Sequence, residues 1–365
     1  MKITFRILLL TFALAVFFIQ CEKEEETVET IPDINFLSAL IDRGVDTNWD
    51  NIIDASEAEA IHYLDVSSCE IKDMTGIELF VNLVQLECSD NHLIVLDVTN
   101  NKALERLISI DGNLGIFDAT NLTNLRYLDC KQNQIGTLLV DGCNSLEILK
   151  CFSNNIRELD ISSSTQLIEL KCGNNQLTTL DVSNNPALEW FQCQGNQLTS
   201  LDVSNNTALE RLYCSVNPIT TLDISNNTIL ERIQCFYNQL TSLDVSNNAA
   251  LTELICDSNQ LTTLDVSNNQ ALEVLSCYYN QLTTLDVTNN NALSQLTCSL
   301  NQLTSLDISN NTSLGTRYPG CTCLSLKLMP SLQEVCVWIM PFPPEGLIIS
   351  TEGSPNVYFT TECSK

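Results

Sequence analysis

Histidine is almost missing from this chain: His62 and His92 are the only two in 365 residues. Acid–base and metal-ligand chemistry runs most often through imidazole, and neither histidine sits in a pattern that supplies a serine or cysteine nucleophile. Positive charge is scarce as well. Seventeen Lys and Arg stand against 45 Asp and Glu, a formal charge of −28. A surface that grips phosphates needs clustered cations, so this balance excludes nucleic acid as a partner. No Gly-rich phosphate loop, no H-E-x-x-H and no close pair of inward carboxylates occurs. The one long apolar run, Ile7 to Ile19, is too short to span a bilayer as a permanent helix. Disorder is excluded in turn, because 44% hydrophobic residues with only 17% charged suffice for an extended core.

What is present begins with an address. Lys2 and Arg6 precede the apolar run, which ends at Cys21, and Glu22, Lys23, Glu24, Glu25 and Glu26 follow. A charged start and a short apolar stretch are the parts of a secretory signal. With the cysteine at the cleavage position, the segment resembles a bacterial lipoprotein signal. That resemblance implies a lipidated Cys21 as mature N-terminus, anchored in the outer membrane at the cell surface. The acidic run resembles the export tether of Bacteroidetes surface lipoproteins. The expected boundaries are a signal peptide over 1–20 and a flexible acidic tether over 21–33.

Asp46-Thr-Asn48-Trp-Asp50-Asn51-Ile52-Ile53-Asp54-Ala-Ser-Glu57 has the spacing of a twelve-residue EF-hand loop. Oxygen ligands fall at positions 1, 3, 5 and 9 (Asp46, Asn48, Asp50, Asp54), with the Ile52 carbonyl at 7 and Glu57 closing at 12. Ile53 takes the apolar eighth place, and Asn51, at the glycine position, is the best other residue for a left-handed backbone. Phe36, Leu37, Leu40 and Ile41 recur at helical spacing before the loop, and Ala55 to His62 reads as the exiting helix. A helix–loop–helix cap over 34–62 with one structural calcium ion is expected.

From Leu83 the chain repeats every 21 residues. Cysteines stand at 88, 130, 151, 172, 193, 214, 235, 256, 277 and 298, with Ser109 in the single gap. A clean copy runs Leu188-Glu-Trp-Phe191-Gln-Cys193-Gln-Gly-Asn196-Gln-Leu198-Thr-Ser-Leu201-Asp-Val203-Ser-Asn-Asn. It matches L-x-x-L-x-L-x-x-N/C-x-L, with Cys at the third apolar place. The array resembles the leucine-rich repeats of bacterial surface proteins of the internalin type, and more closely the L-D-V-S-x-N repeats of Bacteroidetes lipoproteins. The resemblance implies a right-handed leucine-rich-repeat solenoid with a parallel concave β-sheet. About eleven regular units and an irregular first one are expected over 63–318, then a cysteine-containing cap over 319–365. Twenty-one residues leave no room for a helix on the convex side, so Leu-Asp-Val-Ser is expected to form a short second strand or an extended turn.

Three ladders follow from the period. Buried asparagines, Asn133 to Asn301, satisfy turn backbone. Aspartates, Asp160 to Asp307, are read as solvent-facing turn residues, one carboxylate per coil being too few oxygens for calcium. The ladder cysteines are read as free buried thiols, since a straight column suits neither zinc nor disulfide geometry. Cys321, Cys323, Cys336 and Cys363 are instead expected to form disulfides, in any of three connectivities. On the concave face the columns bring together Trp190, Arg211, Tyr213, Arg232, Phe236, Tyr237, Tyr278 and Tyr279. Tyr, Trp and Arg dominate protein interfaces, so a protein or glycan partner is expected there and no enzyme activity. The alternatives are an enzyme site in the tail, or a scaffold with no specific ligand.

Overall fold

The computed structural model describes residues 31–316 and 322–363. Fourteen short strands, from Tyr63–Asp65 to Ile348–Ser350, pair in parallel to make one continuous sheet, the expected concave face of a solenoid. In the regular part each coil advances the register by one repeat, so Trp190 lies beside Arg211 and Arg211 beside Arg232.

The columns explain the coil. Leu188, Phe191, Cys193, Leu198, Leu201 and Val203 are buried, and the same places are buried in the neighbouring coils except for the half-buried Leu180, giving one core along the whole axis. Each strand is only three residues long in the regular coils, with its middle residue inward and its flanking pair on the sheet face. Such a unit cannot bury its apolar face alone; stacking supplies the burial. At the strand exit an asparagine closes the turn. The Asn217 amide nitrogen donates to the Cys193 and Cys214 carbonyls, both at 3.1 Å, and its oxygen accepts from the Leu198 amide at 3.0 Å. A second buried column, Asn185 to Asn311, donates in the same way on the far side, Asn206 to the Val182 and Asn185 carbonyls, but its amide oxygens accept no hydrogen bond.

Opposite the main sheet, both expected conformations are found. Val95–Asp97, Ile116–Asp118 and Thr137–Leu139 form one three-stranded parallel sheet; Ser305–Asp307, Glu334–Cys336 and Tyr358–Thr360 form another. Between them the Leu-Asp-Val-Ser segments are not strands, and each aspartate instead closes a small turn, Asp202 accepting the Ser204 amide at 2.9 Å.

The ends depart from the sequence reading in two ways. Helix α1 (Ile34–Asp42) starts on Asp33, whose carboxylate accepts the Asn35 and Phe36 amides, but the second helix, α2 (Ala55–Glu59), stops three residues short of His62. The segment Ala60 to His62 turns directly into the first strand, and the His62 carbonyl already accepts the Val84 amide. The C-terminal residues, irregular by sequence, extend the solenoid: Thr322–Ser325 and Ile348–Ser350 are the last strands of the main sheet. Their spacing exceeds 21 residues, which hides the repeat from a period count.

Candidate functional site

The cap loop is held by hydrogen bonds from its own side chains to its backbone. Asn51 is left-handed with φ 64°, and Ile53 is buried. Asp46 accepts the Trp49 and Asn51 amides at 2.7 and 3.0 Å, and Asn48 and Asp50 each accept the amide two residues on. Glu57 is turned to the loop backbone: its Oε1 accepts the Thr47 amide and hydroxyl at 2.7 and 2.8 Å, while Asp54 and Glu57 form a reciprocal helix cap. Among the described residues no group of three His, Cys, Asp or Glu side chains converges to hold a metal. Glu57 is engaged by Thr47 and the loop backbone. Cys21 lies outside the described residues, and no described helix is long and apolar enough to cross a membrane.

Of the eight residues named from the columns, Trp190, Arg211, Tyr213 and Arg232 lie on strands of the main sheet, whereas Phe236, Tyr237, Tyr278 and Tyr279 lie just beyond their strands. Trp190, Arg211 and Arg232 are consecutive rungs of one column, with Tyr213 in the next column. Trp190 is half-buried between two of the chain's own cations. The Lys171 Nζ stands 3.5 Å over its ring and the Arg211 guanidinium 5.1 Å. The aromatic residues beyond are freer. Tyr237 is 62% exposed and meets Phe236 edge-on at 5.8 Å; Tyr279 is 57% exposed and meets Tyr278 at 6.1 Å.

One feature was not read from the sequence, and a second was read only at Tyr237 and Tyr279. Toward the N-terminal coils the alternation of rings and cations continues, with Tyr127 between Arg106 at 3.8 Å and Lys150 at 5.1 Å. A second ridge flanks the sheet two residues after each cysteine. Val216, Tyr237, Tyr279 and Leu300 occupy it with φ from 51° to 56°. Left-handed backbone is unfavourable for any side chain and most for a β-branched one, and earlier coils place Ser153, Asn174 and Gly195 there. The signal was the column itself: large apolar residues where other coils carry small or polar ones.

The cations differ in their partners. Lys171 and Lys150 share Glu169, at 2.8 and 3.6 Å, Arg126 pairs with Glu147, and Lys131 with Asp129 at 3.6 Å. Arg211 and Arg232 are in no ion pair among the described residues, and the Arg211 Nε is buried without an acceptor. Glu253, in register beside Arg232, instead accepts from the Gln234 amide at 2.8 Å.

The other ladders behave as structure. All ten ladder cysteines are free and buried. From Asp160 to Asp265 the aspartates are exposed turn residues, whose carboxyls are held below their usual 3.8 by the serine two residues on, as at Asp181 and Asp202. In the tail, Cys336 bonds to Cys363 and Cys323 is also in a disulfide; Cys321 lies outside the described residues.

No protein-family model matches the chain, and no curated protein does. Solved structures do. The functional domain of InlJ from Listeria monocytogenes, described as including a cysteine ladder, is 26% identical over 85% of this chain and 78% of that one, with TM-score 0.57. An internalin (inlF) of the same organism is 21% identical, covering 92% and 97%, with TM-score 0.69. A leucine-rich-repeat protein of Leptospira interrogans is 21% identical, covering 84% and 79%, with TM-score 0.62. The fold is that of the leucine-rich-repeat solenoids.

Proposed function

We propose that this leucine-rich-repeat solenoid is a lipid-anchored surface protein that binds a protein partner through its main sheet, with no chemistry of its own. The observation that carries the reading is the exposed Tyr237 and Tyr279, with Phe236 and Tyr278, at the exits of two main-sheet strands, the first of which carries Arg232, the in-register neighbour of Arg211. These residue types offer large contact area for few rotors and recur as interface anchors. A folded chain has no internal reason to keep tyrosines in solvent at left-handed positions, whereas a surface selected for contact does.

A protein is favoured over a glycan by Trp190. Sugars stack on bare aromatic faces, and this ring is covered by Lys171 and approached by Arg211. Tyr127 is flanked by cations in the same way.

The anchor is proposed from the sequence around Cys21. Radiolabelled fatty acid is expected on the native protein and absent from Cys21→Ala; equal labelling of both removes the anchor from the account. Binding is tested by capture on the immobilised chain, with the bound protein identified by mass spectrometry. Tyr237→Ala is expected to lower its recovery severalfold. Undiminished recovery with Tyr237→Ala and Tyr279→Ala combined refutes the sheet face as the binding surface.

A further inference from the structure

The sheet face also carries information about the chemistry of its partner, on the condition that it is the binding surface. In a chain of net charge −28, Lys131, Lys150, Lys171, Arg126 and Lys327 have each found a carboxylate among the described residues. Arg211 and Arg232 have not, although they are the pair that most needs one. They are in-register neighbours on adjacent parallel strands, so two like charges face each other across about 4.8 Å of strand spacing. Like charges placed directly across a sheet are destabilising. The nearest in-register carboxylate, Glu253, is held by Gln234. The Arg211 Nε and the neighbouring Trp190 Nε1 are donors shut off from solvent with nothing to donate to. Buried donors left unpaired are costly, and a bound acceptor removes that cost.

We propose that Arg211 and Arg232 form a two-guanidinium clamp for a carboxylate of a locally acidic protein segment, which lies across the sheet with apolar side chains on the ridge of Val216 and Tyr237. Guanidinium forks bind carboxylates in two-point fashion, and two forks side by side fit one carboxylate bridging them or two from adjacent acidic residues. The clamp and the ridge belong to the same coils: Arg211 precedes Val216, and Arg232 precedes Tyr237, by five residues. The gap between the two columns is at most about 17 Å, which five or six residues of extended chain cover. Val216 is 47% and Tyr237 62% exposed, so the ridge presents apolar area beside the charge. The occupant is thus a segment in which Asp or Glu alternates with apolar or aromatic residues. A sulfated or uronic glycan offers the anion but not the side chains for the ridge.

The probe is a displayed library of random twelve-residue peptides, selected on the full chain and tested beside an array of sulfated and uronic glycans. Peptides enriched in Asp or Glu with apolar neighbours are expected. The Arg211→Gln/Arg232→Gln double variant is expected to weaken them by more than tenfold. Arg157→Gln, an exposed cation outside the face that bonds Gln176, is expected to leave binding unchanged. Selected peptides without acidic residues, or acidic peptides indifferent to the double variant, overturn the clamp. Glycans that bind through the two arginines while no peptide does overturn the protein segment as occupant. Peptides blocked by changes along the Asp202 ladder but not by Tyr237→Ala overturn the sheet face itself, which separates that failure from a failure of the clamp.

Discussion

A thiol enclosed by leucines is held protonated. Burial pushes Cys88, Cys172, Cys214 and Cys298 up to about 12 and moves the rest of the ladder in the same direction. Only thiolates react readily, so in the native protein at pH 8 the ladder should be silent to a disulfide-exchange reagent. Among the twelve described free cysteines only half-buried Cys69 should react, and all should react in denaturant; rapid native labelling of the ladder would contradict the packing. The aspartates give the opposite kind of signature. At Asp160, Asp181, Asp202, Asp244 and Asp265 a serine hydroxyl, followed by the serine amide, holds the carboxyl below 3.8. A depressed folded value stabilises above the unfolded one and is lost as pH falls through the folded value. Asp257 runs the other way, raised by burial against the Ser276 hydroxyl and the Tyr278 amide. The melting temperature should therefore fall as pH drops below about 4, since nine depressed carboxyls, Asp33, Asp54, Glu57 and Asp223 among them, oppose one raised group; a flat profile from pH 5 to 2 would contradict these turns. The roles of these ladders were legible in the sequence because each residue type recurs at one place in the coil. Val216 and Leu300 were not, because a single apolar residue in a polar column has no periodicity to announce it, and the left-handed backbone beneath it is visible only in three dimensions.

At the scale of elements, the cap and the tail show where pattern reading succeeds and stops. The start of α1 was legible from Phe36 and Leu40, which are both buried. Asp33 does more than the helical spacing discloses: burial works to raise its carboxyl, but the Lys72, Phe36, Asp73 and Asn35 amides together hold it low and tie the helix to the first coils. Ile31 packs against the left-handed Gly76, where a Cβ would come within 2.6 Å of it, so the last residues of the expected tether are fixed to the body. We propose that the loop between the helices takes up one calcium ion, with Asp46, Asn48, Asp50, Asp54, Glu57 and the Ile52 carbonyl as ligands. Glu57 must then exchange Thr47 for the ion. A ligand that binds only the folded state raises the melting temperature by mass action. Millimolar calcium should raise it by several degrees, and Asp46→Ala with Glu57→Ala should abolish the rise; coincident melting curves with calcium and with chelator would reject the site. The tail escaped sequence reading because its two last coils are longer than the rest and lack the ladder asparagine. Their strands form because an exposed edge on Gln295–Thr297 offers backbone partners, and the Cys336–Cys363 bond fixes the chain end to the second sheet.

For the whole molecule, the period of 21 was enough to give the solenoid, since the leading leucines, the cysteines and the strand-exit asparagines fall in inward columns, whereas the buried columns of Leu201, Val203 and Asn206 were not read as inward. The binding face was legible as a set of columns but not as a set of energies. Trp190, the most prominent residue of the pattern, is engaged by Lys171 and Arg211, while Tyr237 and Arg232 stand exposed. Intramolecular stacking of that kind is invisible in a sequence, because it depends on which rung of the next coil carries the cation. The acidity has a geometry too: the aspartate ladder covers the back of the solenoid, and the only unpaired arginines on adjacent coils lie on the main sheet among the described residues. A partner with basic groups around its contact region would be drawn toward the acidic body at low salt while its central residues meet the sheet. The most direct test compares the two faces in one titration. The affinity of the captured partner should fall by more than tenfold for Tyr237→Ala with Arg232→Ala, at an unchanged melting temperature, and stay within twofold of the parent for Asp202→Ala with Asp223→Ala. Loss of binding in the aspartate variant with full affinity in the sheet variant would place the interface on the opposite face and contradict the account.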